Sequence, residues 1–187
     1  WAPMHHAAMK HWAPVRAQLG IRTIFIVLGP ISNPANVRRH IVGVYARELI
    51  EPIANVLKNL GSKHVWVVHG HDGMDELTTT GSTSVAELKN GEIRVFEITP
   101  ADAGLQPARL SDLVGGDAEV NAAAIRRVLA GEHGPFRDIV VLNAGAALVV
   151  AGLADNLEAG VAKAAAAIDS GAARAALERL IEVSNAG

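Results

Sequence analysis

The chain has 187 residues, half of them apolar and 19% charged, enough to bury a substantial core and too apolar for global disorder. Lys plus Arg number 17 against 19 Asp plus Glu, so no bulk charge exists to hold duplex DNA or an anionic membrane, and neither is expected as a partner. There are no cysteines, which excludes disulfides and thiolate metal sites and fits a cytoplasmic location.

The first eleven residues, WAPMHHAAMKH, lack the basic and apolar regions of a secretory signal. They begin with Trp-Ala-Pro rather than Met, and the chain is expected to be the C-terminal part of a longer polypeptide. Residues 7–19 carry a helical pattern that Pro14 interrupts and Gly20 stops. An apolar run from Ile24 to Leu28 is broken by the turn signals Gly29-Pro30 and Asn33-Pro34. HIVGVY (40–45) reads as a strand. RELIEPIANVLKNLGS reads as an amphipathic helix with Leu49, Ile53, Val56, Leu57 and Leu60 on one face, ended by Gly61.

A buried strand is expected over 64–68. Two alternating runs joined by Asn90-Gly91 predict a hairpin, because both residues tolerate positive φ. VGGDAEVNAAAIRRVLAGEHGP predicts a loop and a helix capped near Asp117. RDIVVLN reads as another buried strand, with AGAALVVAGL as a helix after it. The Ala-rich tail predicts two helices jointed at Ser170-Gly171. This alternation implies an α/β fold: a mainly parallel sheet covered by helices on both faces, with ligands at the carboxyl ends of the strands. Residues 1 to about 40 show little strand pattern beyond the apolar run at Ile24 and are expected to form a separate helical layer.

HGHDGMDE, residues 69–76, is the stretch with the most chemistry, at the end of a predicted core strand. Asp75 and Glu76 are hard oxygen donors suited to Mg²⁺, which is commonly held by one or two carboxylates plus waters and phosphates. They equally suit the first turn of a helix beginning near residue 74, where the dipole favours acids, and spacing alone favours that second reading. His69 and His71 could ligate a transition metal, but no third ligand sits at helical spacing. Arg16 could clamp a carboxylate or phosphate, or be a solvated helix-face cation; Arg22 has the same ambiguity. His6 fits either a ligand contact or a helix cap. Gly-Gly-Asp at 115–117 is a weak match to an anion-cradling loop at a helix N-terminus. No Walker motif, GxSxG or GxGxxG occurs. From the residues alone, the reading stops at an α/β domain with a candidate Mg²⁺-phosphate site at 72–76.

Taken together, WAPMHHAAMKHWAPVRAQLGIRTIF, LGPISNPA, VGVY, VVHGHDGMDELTTTG, GGDAEVNAAAIRRVLAGEHGP, RDIVVLNAGAAL and AAIDSGAA resemble anthranilate phosphoribosyltransferase, in order and spacing, over essentially the whole chain. The resemblance implies transfer of phosphoribosyl from phosphoribosyl pyrophosphate to the amine of anthranilate, with release of pyrophosphate, in tryptophan biosynthesis. It also implies Mg²⁺ held by Asp75 and Glu76, which displaces the helix-start reading. Arg16 falls on the arginine that meets the anthranilate carboxylate, and Ala2, Pro3, His6, Met9 and Gly29 fall around the channel for that substrate.

The family's Gly-rich donor loop and the Lys-His-Gly stretch after it would lie upstream of Trp1, as would most of the helical domain that makes the dimer. A homodimer is therefore expected of the full-length protein, and no turnover of the isolated chain. Ile26 stands where the family usually has asparagine and Ile31 where it has leucine. Loss of that amide costs ~1–3 kcal/mol if its partners stay unpaired. The alternatives are a non-catalytic binding module that keeps the fold, or a nucleoside-phosphorylase-like relative.

Overall fold

The structure, a computed structural model, describes residues 15, 18, 25–33 and 35–186. Its regular elements, in chain order, are α1 (Phe25–Ile31), β1 (Arg39–Gly43), α2 (Ile50–Asn59), β2 (His64–Gly70), β3 (Thr83–Lys89), β4 (Glu92–Ile98), α3 (Ala118–Leu129), α4 (Pro135–Ala151), α5 (Leu157–Asp169) and α6 (Ala172–Asn185). The strands form one sheet in the order β1-β2-β3-β4. Among the described residues this is a mixed sheet: β1 pairs parallel with β2, whereas β2–β3 and β3–β4 are antiparallel. The α/β class and the helical cover are as expected, but the mainly parallel pairing is corrected. Asn90 (φ 53°) and Gly91 (φ 82°) both adopt left-handed backbone, and the two-residue turn they make forces β3 and β4 to run antiparallel.

Alternation along β2 sends its side chains to two separate cores. Val65 and Val67 pack with Ala86, Leu88 and α2, while Trp66 and Val68 pack with Val85, α4 and α5. The sheet is thus the middle of three layers. On α2 the buried residues are Ile50, Ile53, Ala54 and Leu57, an i, i+3, i+4, i+7 stripe. Each large side chain of that stripe contributes ~1.5–3 kcal/mol by leaving water. Val56 and Leu60 are 37% and 59% exposed, so the expected face was too wide and its true centre lies between Ile53 and Leu57. Gly61 (φ 85°) ends the helix as expected, its N–H donating to the Lys58 carbonyl and that of Ser62 to Leu57.

Two expected strand signals are helical. Of the apolar run that begins at Ile24, residues Phe25 to Leu28 lie in α1, whose Ile31 packs on the edge of the α2 core. RDIVVLN, expected as a strand, is the first half of the 17-residue α4. Nothing between Asn143 and Ala144 can stop a helix. The stops lie outside it: Gly134-Pro135 in front, and Gly152 with φ 78° behind. The helix looked strand-like because it is apolar on nearly every side, and it can be, since one side covers the sheet and another packs on α5. At that crossing a methyl on Gly145 would lie 2.6 Å from the Val161 nitrogen, so only glycine permits the approach.

A buried polar network ties the sheet together at the end remote from the loop after β2. Glu87, 2% exposed, accepts hydrogen bonds from His64 Nε2 (2.9 Å), Trp66 Nε1 (2.8 Å) and Arg94 Nε. Burial alone would raise its carboxyl, but these three donors and the guanidinium charge outweigh it and hold Glu87 below the usual carboxylate range.

Candidate functional site

The loop joining β2 to β3 lies at the carboxyl end of the parallel pair. It turns sharply at once: the Gly73 N–H donates to the Gly70 carbonyl (2.9 Å), and the Gly70 N–H to that of Met74 (2.9 Å). Gly73 has φ 92°, which few other residues would adopt. No helix begins near residue 74, so a helix dipole does not account for Asp75 and Glu76.

Three acids in this loop have different surroundings. Asp72 is fully engaged: one oxygen accepts from the Met74 N–H (3.0 Å), the other from the hydroxyls of Thr78 (2.6 Å) and Thr80 (2.7 Å). Its burial opposes ionisation, but these bonds and the nearby His71 prevail and hold it below the ordinary carboxylate range. Asp72 is therefore a brace for the loop. Asp75 and Glu76 are both exposed, and neither side chain has a hydrogen-bond or ion-pair partner among the described residues. Partial desolvation, and then the neighbouring Asp75 charge, push the Glu76 carboxyl above its ordinary value. Two adjacent unpaired carboxylates, one of them reluctant to ionise, are what a bound cation would relieve.

The acidic pair is braced on three sides. Asp72 holds the loop before it. Behind it, the Asn143 side chain on α4 accepts from the Leu77 N–H (3.0 Å) and donates to the Leu77 carbonyl (2.8 Å), while the Leu77 side chain is fully buried. Beneath it, β1 ends in Gly43, where an added methyl would lie 2.5 Å from the Asp75 carbonyl carbon and closer still to its oxygen. The Asp75 backbone thus rests directly on the strand. Sequence reasoning passed over both contacts. Each left a signal: a glycine inside a strand marks close backbone approach, and a lone amide in an apolar run requires partners.

The other candidates fare differently. His69 Nδ1 bonds the Val44 carbonyl (2.8 Å), and the His71 ring packs over Gly81. No group of three or more His, Asp or Glu able to hold a metal occurs among the described residues, so a histidine-based transition-metal site is not formed there. A two-carboxylate site completed by water and phosphate oxygens fits Mg²⁺ instead. The Gly-Gly-Asp loop fills its own cradle: Asp117 caps α3 through the Val120 N–H (2.9 Å), and Asn121 takes both the N–H and the carbonyl of Gly116 (2.9 Å each). Gly29 lies on α1, with nothing within 4 Å of where a methyl would stand among the described residues. Arg16, Arg22, Ala2, Pro3, His6 and Met9 lie outside the described residues.

Comparison with known proteins places this architecture. The chain is 62% identical over 185 residues to an anthranilate phosphoribosyltransferase from Parvibaculum lavamentivorans, which covers 99% of this chain and 54% of that protein. The crystal structure of anthranilate phosphoribosyltransferase from Thermus thermophilus superposes with a TM-score of 0.84 at 45% identity, over 93% of this chain and 51% of that one. The enzyme from Saccharomyces cerevisiae in complex with PRPP and Mg superposes at 0.86 with 31% identity, over 95% and 51%. This chain thus spans about half the length of the relatives it matches. Residues 1–174 match the glycosyl transferase family, a/b domain, and the chain belongs to that family.

Proposed function

We propose that this chain supplies the acceptor side and the metal-binding acids of an anthranilate phosphoribosyltransferase, acting in tryptophan biosynthesis. The observation that carries the reading is the unpaired Asp75–Glu76 pair, braced at the carboxyl end of the sheet, in a chain most of whose length matches enzymes of that name. Asp75 and Glu76 would hold Mg²⁺. When bound, the ion supplies positive charge to the departing pyrophosphate. The loop's task is to present both carboxylates without reorganisation, since the reaction needs positioning and leaving-group electrostatics more than covalent help.

On the acceptor side, Arg16 would meet the anthranilate carboxylate bidentately, with Ala2, Pro3, His6, Met9 and Gly29 around the channel. Residues 1–40 would complete a small helical domain and 41–187 the larger α/β domain. The full-length enzyme would be a cytoplasmic homodimer with no nucleic-acid or membrane partner. No helix among the described residues is long and apolar enough to cross a membrane.

The test joins this chain to the part of the Parvibaculum relative that it does not span, and follows anthranilate by its fluorescence. The chimera is expected to consume anthranilate only with phosphoribosyl pyrophosphate and Mg²⁺, and the isolated chain not at all. Turnover by the chain alone would show that the donor site lies within it. A folded chimera without turnover would refute the proposed activity.

A further inference from the structure

The RDIVVLNAGAAL stretch matches the family, yet nothing in the proposed reaction uses it. Its one amide, Asn143, reaches across 66 positions of sequence to the loop that carries the acids. We propose that Asn143 is a positioning residue for the acidic pair, acting through the Leu77 peptide groups. This inference rests on the reading of Asp75 and Glu76 as metal ligands.

The geometry is that of a two-point clamp. Asn143 Oδ1 accepts from the Leu77 N–H at 3.0 Å, and Nδ2 donates to the Leu77 carbonyl at 2.8 Å and to the Ile139 carbonyl of its own helix at 3.0 Å. Both amide hydrogens and one acceptor site are used, and only a carboxamide offers a donor and an acceptor side by side in that way. The bond to Ile139 fixes the side chain to α4, and the two bonds to Leu77 then fix the peptide groups on both sides of the Leu77 α-carbon. One of these is the Glu76–Leu77 peptide, so the direction in which Glu76 leaves the backbone is set by α4.

Helix α4 can serve as a reference because it cannot slide. Its Gly145, two residues on, meets the Gly160–Val161 backbone of α5 with no room for a methyl on either glycine. Asp72 ties Met74, just before the acids, to Thr78 and Thr80 after them. Asp75 and Glu76 therefore sit on a short span pinned at both ends, and Asn143 supplies the pin at Leu77, the residue next to Glu76. Groups that orient metal ligands in this indirect way typically change metal affinity by about 10–100-fold when lost.

The experiment uses the 187-residue chain with Mn²⁺ as paramagnetic probe, reading broadening of backbone amide resonances as a function of Mn²⁺ concentration. Wild type is expected to broaden around residues 74–78, and the Asp75→Asn/Glu76→Gln double variant to lose that response. Asn143→Ala is expected to need about tenfold more Mn²⁺ for half-maximal broadening and to exchange its Leu77 N–H faster. Asn143→Ser, which retains a hydroxyl, should fall between them and serves if the alanine variant does not fold. Asn156→Ala removes the cap of α5, where the Asn156 side chain accepts from the Ala159 N–H (2.8 Å), and so weakens the fold elsewhere. It should leave the Mn²⁺ response unchanged.

A folded Asn143 variant with wild-type Mn²⁺ response would overturn the positioning role while leaving the acidic pair as ligands. Absence of local broadening in wild type, or its persistence in the double variant, would overturn the ligand reading and the inference with it.

Discussion

Replacing Gly43 by alanine tests whether the sheet itself positions the acids. The new methyl would stand 2.5 Å from the Asp75 carbonyl carbon and closer still to its oxygen, against 3.4 Å or more for ordinary contact, so something must move by well over ~1 Å. β1 cannot yield easily. It is hydrogen-bonded along β2 with Gly43 opposite Val68, and Val42 and Val44 on its other face are buried against α2. The loop yields instead, carrying Asp75 and Glu76 by more than twice the ~0.5 Å within which a working site must be held. Overpacking of this kind costs ~1–3 kcal/mol, and each kcal/mol lowers Tm by about 2–4 °C in a domain of this size. Circular-dichroism melts and Mn²⁺ titration, at a temperature where both forms are folded, should show a lowered Tm and at least a roughly tenfold loss of affinity. Unchanged Tm and unchanged affinity would refute the claim that the acidic loop rests on β1.

Three further outcomes follow from other parts of the molecule. Gly145→Ala should destabilise the chain by at least ~1–3 kcal/mol in chemical denaturation, because the methyl meets α5 backbone rather than a flexible side chain. Glu87→Gln should flatten the acid limb of a Tm-versus-pH curve. The folded-state pKa of Glu87 is depressed, so its contribution is present above about pH 4.3, its unfolded value, and is lost as pH falls through the folded value. Gly29→Ala should leave the fold intact or stabilise α1 by ~0.5–1 kcal/mol, since its methyl meets open space among the described residues. The same change should raise the KM for anthranilate in the chimera, and an unchanged KM would remove Gly29 from the proposed channel.

What could be read from the sequence was what local chemistry dictates. Asn90-Gly91 announced the hairpin because φ > 0 at two successive positions leaves few other solutions, and Gly61 and Asp117 marked helix ends for similar local reasons. The strand misreading of RDIVVLN had the opposite cause. A helix buried on nearly every side loses its 3.6-residue signature, and only the distance between Pro135 and Gly152 could have revealed it. The mixed character of the sheet followed from the hairpin already recognised, which should have outweighed the general alternation of helices and strands. At the site, residue type and resemblance pointed to Asp75 and Glu76, but spacing alone preferred a helix start, and the helix is absent. Gly43 and Asn143 were out of reach because their partners lie 32 and 66 positions away, and pairings at that distance exist only once the layers have packed.

The acidic pair is tested most directly by a crystal structure of the chimera grown with Mn²⁺ and pyrophosphate, with anomalous scattering measured at the manganese edge. A peak about 2.0–2.3 Å from carboxylate oxygens of both Asp75 and Glu76, bridging to pyrophosphate, is the predicted result. A peak bound to pyrophosphate with both carboxylates turned away, or an occupied site elsewhere, would contradict it.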